Sequence, residues 1–325
     1  MKTRILELLT LSGNHFLSGE DMSRVCGISR AAVWKHIDHL KKEGYTIEAF
    51  TNKGYRLLEN TEMMEPVFFK LPLNRVIGAQ HIYLEKVDST NSVAKAAAKD
   101  HPDGTVVISN CQTAGKGRLG RSWDSPENKG IWLSLILKPK VSMTDAMILT
   151  QMAGASVCDA LLSAGYEAKI KWPNDIVIQG RKVCGILAEL SGEPEQLNYV
   201  IVGIGINVIQ ESEDFAEELK GKAISLKMIK SIKVDRNLIL ELLLERLDYY
   251  YALVRKKDTH EITTFCRNNS ATLEKQVQVI YNDKIIEGKA IDLTDNGALI
   301  IKDLTGQSIE IISGEVSVRG LYGYV

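Results

Sequence analysis

Three cations share one short stretch of chain. Gly115-Lys116-Gly117-Arg118-Leu119-Gly120-Arg121 sets a lysine and two arginines on a backbone loosened by three glycines. Glycine lets a chain approach a ligand closely and visit positive φ. Arginine grips a phosphate through two parallel hydrogen bonds. The stretch predicts an anion-binding loop, most simply for nucleotide phosphate, that is disordered without ligand and ordered with it. The competing reading is an exposed basic turn with no task. Trp123 speaks against that, because an aromatic gives the loop something to fold onto. The letters also match G-x-G-x-x-G, but a dinucleotide fingerprint needs an apolar helix directly after the glycines. The polar run Arg121-Ser122-Trp123-Asp124-Ser125-Pro126 cannot open one, which disfavours a dehydrogenase. A second cluster, Gly203-Ile204-Gly205-Ile206-Asn207, lies in a β-like run. Glycine there marks either close approach of a ligand or a bulge.

The elements around these residues change character along the chain. Lys2 to Leu11 places Ile5, Leu8 and Leu9 at helical spacing. Ser18 caps a second helix, with Asp21 as in a capping box, and Gly27 ends it. Ser29 caps a third, whose apolar face is Val33, Ile37 and Leu40, with Gly44 at its C′ position. Residues 45–50 and 54–57 read as two strands around Asn52 and Gly54. This order is a helix-turn-helix followed by a wing. Arg30, Trp34 and Lys35 face solvent on the third helix, and Lys53 and Arg56 sit on the wing, in reach of bases or phosphates. The alternative is a solvated face of a small protein-binding module.

Residues 61–66 form an acidic linker ending in Pro66. From 67 to 269 helices and strands alternate. Strands are expected near 106–108, 131–137, 168–172, 176–178, 183–190 and 199–208, and helices over 90–99, 144–164 and 235–256. The middle helix is apolar nearly all round, which implies burial. The last presents Leu238, Leu242, Leu243, Leu247 and Tyr250 on one face. Short turns between neighbouring strands imply hairpins, hence a mixed sheet. Residues 270–325 hold about five short strands separated by turn signals, the pattern of a small β-barrel.

Composition narrows the class. The 325 residues carry a net charge of −1, with 45% hydrophobic and 25% charged residues, as in an ordinary globular protein. Residues 1–60 hold nine Lys+Arg against seven Asp+Glu, or +2; the remaining 31 against 34 give −3. Nucleic-acid binding must therefore come from a local patch. No apolar run of about 18 residues occurs, which excludes a membrane-spanning helix. Glu7 interrupts what a signal peptide would need as its apolar core, so the cytoplasm is expected. The five cysteines are widely spaced with no Cys-x-x-Cys pair, which fits small buried hydrophobes better than disulfides or zinc.

Several motifs occur together in a known order. They are Ser89-Thr90-Asn91, Gln112 to Arg118, Arg121-Ser122-Trp123, Lys171-Trp172-Pro173-Asn174-Asp175, Lys182 to Leu187 and Gly203 to Asn207. Over essentially the whole chain this resembles the biotin–[carboxyl-carrier] protein ligases. With the helix-turn-helix in front, it resembles the bifunctional bacterial type in which ligase and biotin repressor are one protein. One departure is Lys116, where many members carry arginine.

The resemblance implies a multidomain α+β fold: a winged helix, a central mixed α/β domain related to class II aminoacyl-tRNA synthetases and lipoate ligases, and an SH3-like barrel. It implies ATP with Mg²⁺, biotin as substrate, and biotinyl-5′-AMP as both intermediate and corepressor. Lys171 would sit between the biotin carboxylate and the α-phosphate, with Arg118 as the second catalytic group. Biotin would meet Ser89, Thr90, Asn91, Gln112, Lys116, Gly117, Arg118, Lys171 and Gly185. The adenylate would meet Arg118, Arg121, Trp123, Lys171, Asn174 and Asn207, with Asp175 near the metal. Operator DNA would meet Ser29, Arg30, Trp34, Lys35, Lys53 and Arg56. The implied partners are the biotin carboxyl carrier domain of biotin-dependent carboxylases, an inverted-repeat operator, and a second copy of the chain recruited by the adenylate. Two readings stay open beside it: a regulator that senses biotin without catalysis, and a ligase for lipoate or another acid.

Overall fold

The computed structural model describes residues 1–13, 15–42, 45–58, 75–142, 144–193, 196–230, 234–281, 284–312 and 314–318. They fall into two compact units, divided between Lys70 and Leu71. The expected linker at 61–66 and the cap at Gly44 lie outside the described residues.

The first unit contains α1 (Lys2–Leu11), α2 (Gly19–Cys26), α3 (Arg30–Lys42), β1 (Ile47–Phe50) and β2 (Gly54–Leu57). The Ser18 hydroxyl accepts from the Asp21 backbone N–H at 3.0 Å and so caps α2. Ser29 does the same for α3, accepting from Ala32 N at 3.2 Å. Ile5, Leu9, Met22, Val33, Ile37, Leu40 and Leu57 make a common core. β1 and β2 pair antiparallel, Ile47 opposite Leu57 and Phe50 opposite Gly54.

In the second unit the chain runs β3 (His81–Val87), α4 (Thr90–Ala97), β4 (Thr105–Gln112), β5 (Gly130–Leu137), α5 (Met147–Ser163), β6 (Lys169–Lys171) and β7 (Asp175–Ile178). β8 (Arg181–Glu193), β9 (Gln196–Asn207), α6 (Leu226–Ile229), α7 (Arg236–Lys256) and α8 (His260–Asn268) follow. β10 (Gln276–Tyr281), β11 (Lys284–Leu293), β12 (Leu299–Asp303), β13 (Ser308–Ile311) and β14 (Glu315–Val318) complete it.

The first seven of these strands form one sheet in the order β3-β4-β5-β9-β8-β7-β6. Only β3 and β4 run parallel; the other neighbours are antiparallel, the mixed sheet that the short turns predict. The interior strand β5, between β4 and β9, is buried along its whole length, so it carries no polar alternation. α5 is buried on nearly every side, as its composition requires. α7 differs from its expected face. Ile239, Leu243, Leu247, Tyr250 and Val254 are buried with Leu240 and Leu244, whereas Leu238 is exposed. The buried apolar stripe is wider than one row and begins at Ile239, with Arg236 buried in the turn before it. The last five strands form a second, antiparallel sheet, ordered β13-β12-β11-β10-β14. Cys158, Cys184 and Cys266 are buried, and desolvation pushes each thiol up, as suits packing residues. Among the described residues no helix is long and apolar enough to cross a membrane.

Candidate functional site

One end of the site is a hydrogen-bonding corner where β3 gives way to α4. Ser89 is the N-cap residue of α4, yet its hydroxyl makes no capping bond. The first turn is closed by Gln112 of β4 instead: its Oε1 accepts from Thr90 N at 2.8 Å and lies 3.1 Å from Thr90 Oγ1. The Gln112 amide nitrogen donates to Ser125 Oγ at 2.7 Å. Asn91 is spent on protein partners, Ser134 at one end of its amide and Glu189 at the other.

The glycine-rich loop leaves the end of β4 and folds on itself. Gly117 N donates to Arg121 O at 2.7 Å, and Trp123 N to Gly115 O at 2.9 Å. Arg118–Gly120 is a single 3-10 turn with Leu119 at φ 55°, and no helix follows. The absence of that helix accords with the rejection of a dinucleotide fold. Arg118 reaches Asn174 Oδ1 at 3.0 Å and the Gly314 carbonyl at 2.9 Å. Arg121 pairs with Glu315 at 2.6 Å. Lys116 turns to Ser92 of α4, 3.0 Å away.

Opposite the loop stands the tight connection between β6 and β7, which contains a cis Trp172–Pro173 bond. Lys171 and Asp175 face each other across this hairpin. The turn is held from several sides. Trp172 Nε1 donates to the Gly297 carbonyl at 2.9 Å, and Trp172 N donates to Thr272 Oγ1 at 3.0 Å. Asn174 Nδ2 donates to Ile186 O at 2.8 Å while Ile186 N returns a bond to Asn174 O.

Two ammonium groups share the Asp175 carboxylate. Lys182 lies 2.6 Å from one oxygen and Lys171 3.9 Å from the other. The Lys171 side chain is 9% exposed and that of Lys182 29%. Burial lowers the pKa of Lys171, Asp175 opposes that, and Lys182 and Arg118 lower it further.

The floor is made by cross-strand glycines. Gly185 of β8 pairs with Gly205 of β9. A Cβ at Gly205 would stand 2.5 Å from Trp123 Nε1, and one at Gly185 2.8 Å from the same indole. The glycines let the chain's own indole lie on the sheet, so the second glycine cluster marks close approach of a side chain and neither of the two expected features, a ligand or a bulge. Lys182 Nζ lies over the ring at 5.2 Å from its centroid. Trp123 Nε1 is buried and has no hydrogen-bond partner among the described residues. Asn207 at the end of β9 is buried, donating to Ile224 O and accepting from Gln210.

The corner, the loop, the β6–β7 turn and the glycine floor each contribute residues to one cavity of about 750 Å³. Every ligase-side candidate from the sequence is on its wall: the Ser89–Asn91 corner, Gln112, the loop residues Lys116, Gly117, Arg118, Arg121 and Trp123, and Lys171, Asn174, Asp175, Gly185 and Asn207. The cavity thus has a neutral polar end, an aromatic floor and a cationic rim. Lys182, Lys222, Phe215, Leu219 and Glu315 also line it, and sequence reasoning gave them no role. Lys182 stood within a motif already singled out. The others sit in irregular chain or arrive from the second sheet, where no periodicity points inward.

In the first unit Arg30, Trp34 and Lys35 are exposed on α3, with Trp34 57% exposed. Ser29 is used as the cap. Lys53 lies over the Phe50 ring at 5.3 Å. Arg56 pairs with Glu48 and covers Phe16, so much of its charge is spent within the unit.

Comparison with known proteins follows the same division. Residues 2–56 match an HTH domain, 83–207 the biotin/lipoate A/B protein ligase family, and 272–319 the biotin protein ligase C-terminal domain. The bifunctional ligase/repressor BirA of Bacillus spizizenii is 36% identical over 94% of this chain and 95% of its own length. The chain belongs to the bifunctional ligase/repressor family of biotin protein ligases. The Escherichia coli bifunctional ligase/repressor BirA is 28% identical, covering 97% of both chains. A biotin protein ligase from Aquifex aeolicus, solved in complex with biotin and ATP, superposes with a TM-score of 0.65 at 33% identity. It covers 74% of this chain and 98% of that one. As a member, this chain unites ligase and helix-turn-helix repressor.

Proposed function

We propose that the cavity joins biotin to ATP and that the same intermediate governs DNA binding. The carrying observation is that a neutral hydrogen-bonding corner and a crowded cationic rim share one cavity. A carboxylate does not react with an amine at neutral pH, because an oxide is a poor leaving group. In the first step a biotin carboxyl oxygen bonds to the ATP α-phosphorus and the bond to the β-phosphate oxygen breaks, releasing pyrophosphate. In the second, a lysine amine of a carboxyl carrier domain attacks the acyl carbon. AMP leaves with the bonding pair and the amine gives up its proton to solvent.

The first step brings an anion toward a polyanion, and preorganised positive charge lowers that barrier. Two fixed ammoniums surround Asp175, and Lys182 is the more open of them. We assign Lys182 the direct contact with the reacting oxygens. Lys171, the cation expected from the sequence, adds field from behind with less access. Arg118 and Arg121 complete the clamp on the phosphates. Asp175 already faces both lysines, and the described residues contain no group of three possible metal ligands. Asp175 thus does not fit a resident Mg²⁺ site; Mg²⁺ belongs to the ATP complex as substrate. Ser89, Thr90 and Gln112 meet the ureido ring, and the Trp123 floor with Asn207 meets the adenine.

For the repressor, the chain divides into a DNA-binding domain at 1–60, a linker at 61–66, a ligase domain at 67–269 and a barrel at 270–325. Biotinyl-5′-AMP favours a homodimer whose two helix-turn-helix domains meet the half-sites of an inverted repeat. The place of action is the cytoplasm. Incubation with ATP, Mg²⁺, radiolabelled biotin and a carrier domain tests the ligase. Pyrophosphate and labelled carrier are expected, and lipoate should not compete. Absence of pyrophosphate would leave only a sensor. Equal operator affinity with and without biotin plus ATP would remove the corepressor.

A further inference from the structure

Behind the polar corner, side chains form a continuous chain from Gln112 to Glu189, and counting its protons fixes the direction of every bond. Asn91 presents one end of its amide to Glu189 Oε2 at 2.7 Å. A carboxylate has no proton to give, so that end is the NH₂ group, and Oδ1 faces Ser134 Oγ at 2.6 Å. The amide is also held in place. A Cβ at Gly203 would come within 2.2 Å of Asn91 Oδ1, and Gly203 pairs directly with Ser134 across β5 and β9.

Ser134 is fully buried and owns one proton. It goes to Asn91 Oδ1, since that oxygen has none and two bare oxygens at this distance repel. Toward Thr90 Oγ1, 2.7 Å away, Ser134 can then only accept. Thr90 therefore spends its own proton on Ser134. Gln112 Oε1 is served by the Thr90 backbone N–H, and its NH₂ group by Ser125. What Thr90 Oγ1 has left for the cavity is lone pairs alone.

We propose that Ser134 and Glu189, acting through Asn91, are positioning residues that make the Thr90 hydroxyl an obligate acceptor. The site then selects a ligand carrying an N–H at that point and rejects one carrying an oxygen there. This rests on the biotin reading above, and the ureido ring offers N–H groups of the required kind. It also gives Asn91 a different task from direct contact with the substrate.

Calorimetric titration with biotin, and with cyclic carbamates in which either ureido N–H is replaced by a ring oxygen, tests this. Wild type should prefer biotin to one of the two carbamates by at least about tenfold. In Ser134→Ala the Thr90 hydroxyl loses its 2.7 Å partner and keeps only Gln112 Oε1, 3.1 Å away and already served by a backbone N–H, so a ligand oxygen can compete for its proton and that ratio should fall by about fivefold. Glu189→Gln lets the Asn91 amide turn over and hands the Ser134 proton to Thr90, with the same expected loss; being half-exposed, it also guards against a folding defect. In a Thr90→Val background neither change should move the ratio further, because the effect passes through that hydroxyl. A ratio within about twofold of wild type in both single variants would overturn the inference alone. A wild type that binds neither compound would overturn the biotin reading with it.

Discussion

Placing one methyl group on the glycine floor separates the nucleotide end of the cavity from the biotin end. In Gly205→Ala the new Cβ would lie 2.5 Å from Trp123 Nε1 and 2.7 Å from Cε2. Ordinary carbon contacts are about 3.5–4.0 Å, so the indole must retreat by about 1 Å. Gly185 bounds it on the next strand, and the Lys182 ammonium, anchored on Asp175, covers its outer face. Forcing a methyl into such a space costs roughly 1–3 kcal/mol. Trp123 lies two residues beyond Arg121, so the displacement reaches the phosphate clamp first. The KM for ATP should rise by roughly five- to 150-fold, the same energy expressed as affinity. Biotin binding, centred on Thr90 and Gln112, should change by less than about threefold, since those sites share no contact with the methyl. Steady-state pyrophosphate release against ATP concentration gives the first number and calorimetry with biotin the second. An unaltered KM for ATP, or an equal loss of both ligands, would refute the stacked-floor argument.

Other changes probe the remaining parts. Arg118→Gly removes the bonds to Asn174 and Gly314; at about 1.5 kcal/mol or more for a charge-assisted bond, adenylate should escape at least tenfold faster, read as label on bystander proteins. Unchanged retention would count against a clamping role. Lys171→Met should lower the adenylation rate yet leave the fold as stable or more stable at neutral pH. The sign follows from its depressed pKa: the native state bears the cost of a buried charge below that pKa, and the cost fades as pH rises through it toward the ordinary lysine value. Denaturant melts of both proteins across that range should therefore converge at high pH. Ser29→Ala removes the cap of α3 and should destabilise the first unit by about 1 kcal/mol, with DNA binding weakened and pyrophosphate release untouched.

Most of the architecture was legible because its elements announce themselves by period. α1 to α3, the hairpin, α5 and β5 all carry patterns that survive tertiary packing. Three elements did not, among them α6, a single turn of four residues. β3 is an edge strand whose His81, Glu85 and Lys86 dilute any alternation, and α8 is only nine residues long. In the site, compact motifs were readable, and every ligase-side candidate drawn from them reached the cavity wall. Their division of labour was not. Nothing local tells Lys171 from Lys182; burial does. Ser134, Glu189 and Glu315 enter through strand register and through a second sheet, and no spacing rule connects them to the loop.

The bond from Arg118 to the Gly314 carbonyl joins residues 196 positions apart. Together with Arg121–Glu315, it means that the nucleotide clamp is finished by the strand laid down last of those described. A ribosome must deliver the chain through Glu315 before the pocket can close. Refolding should show the same order, with native-like spectra arriving ahead of catalytic competence, because long loops close slowly.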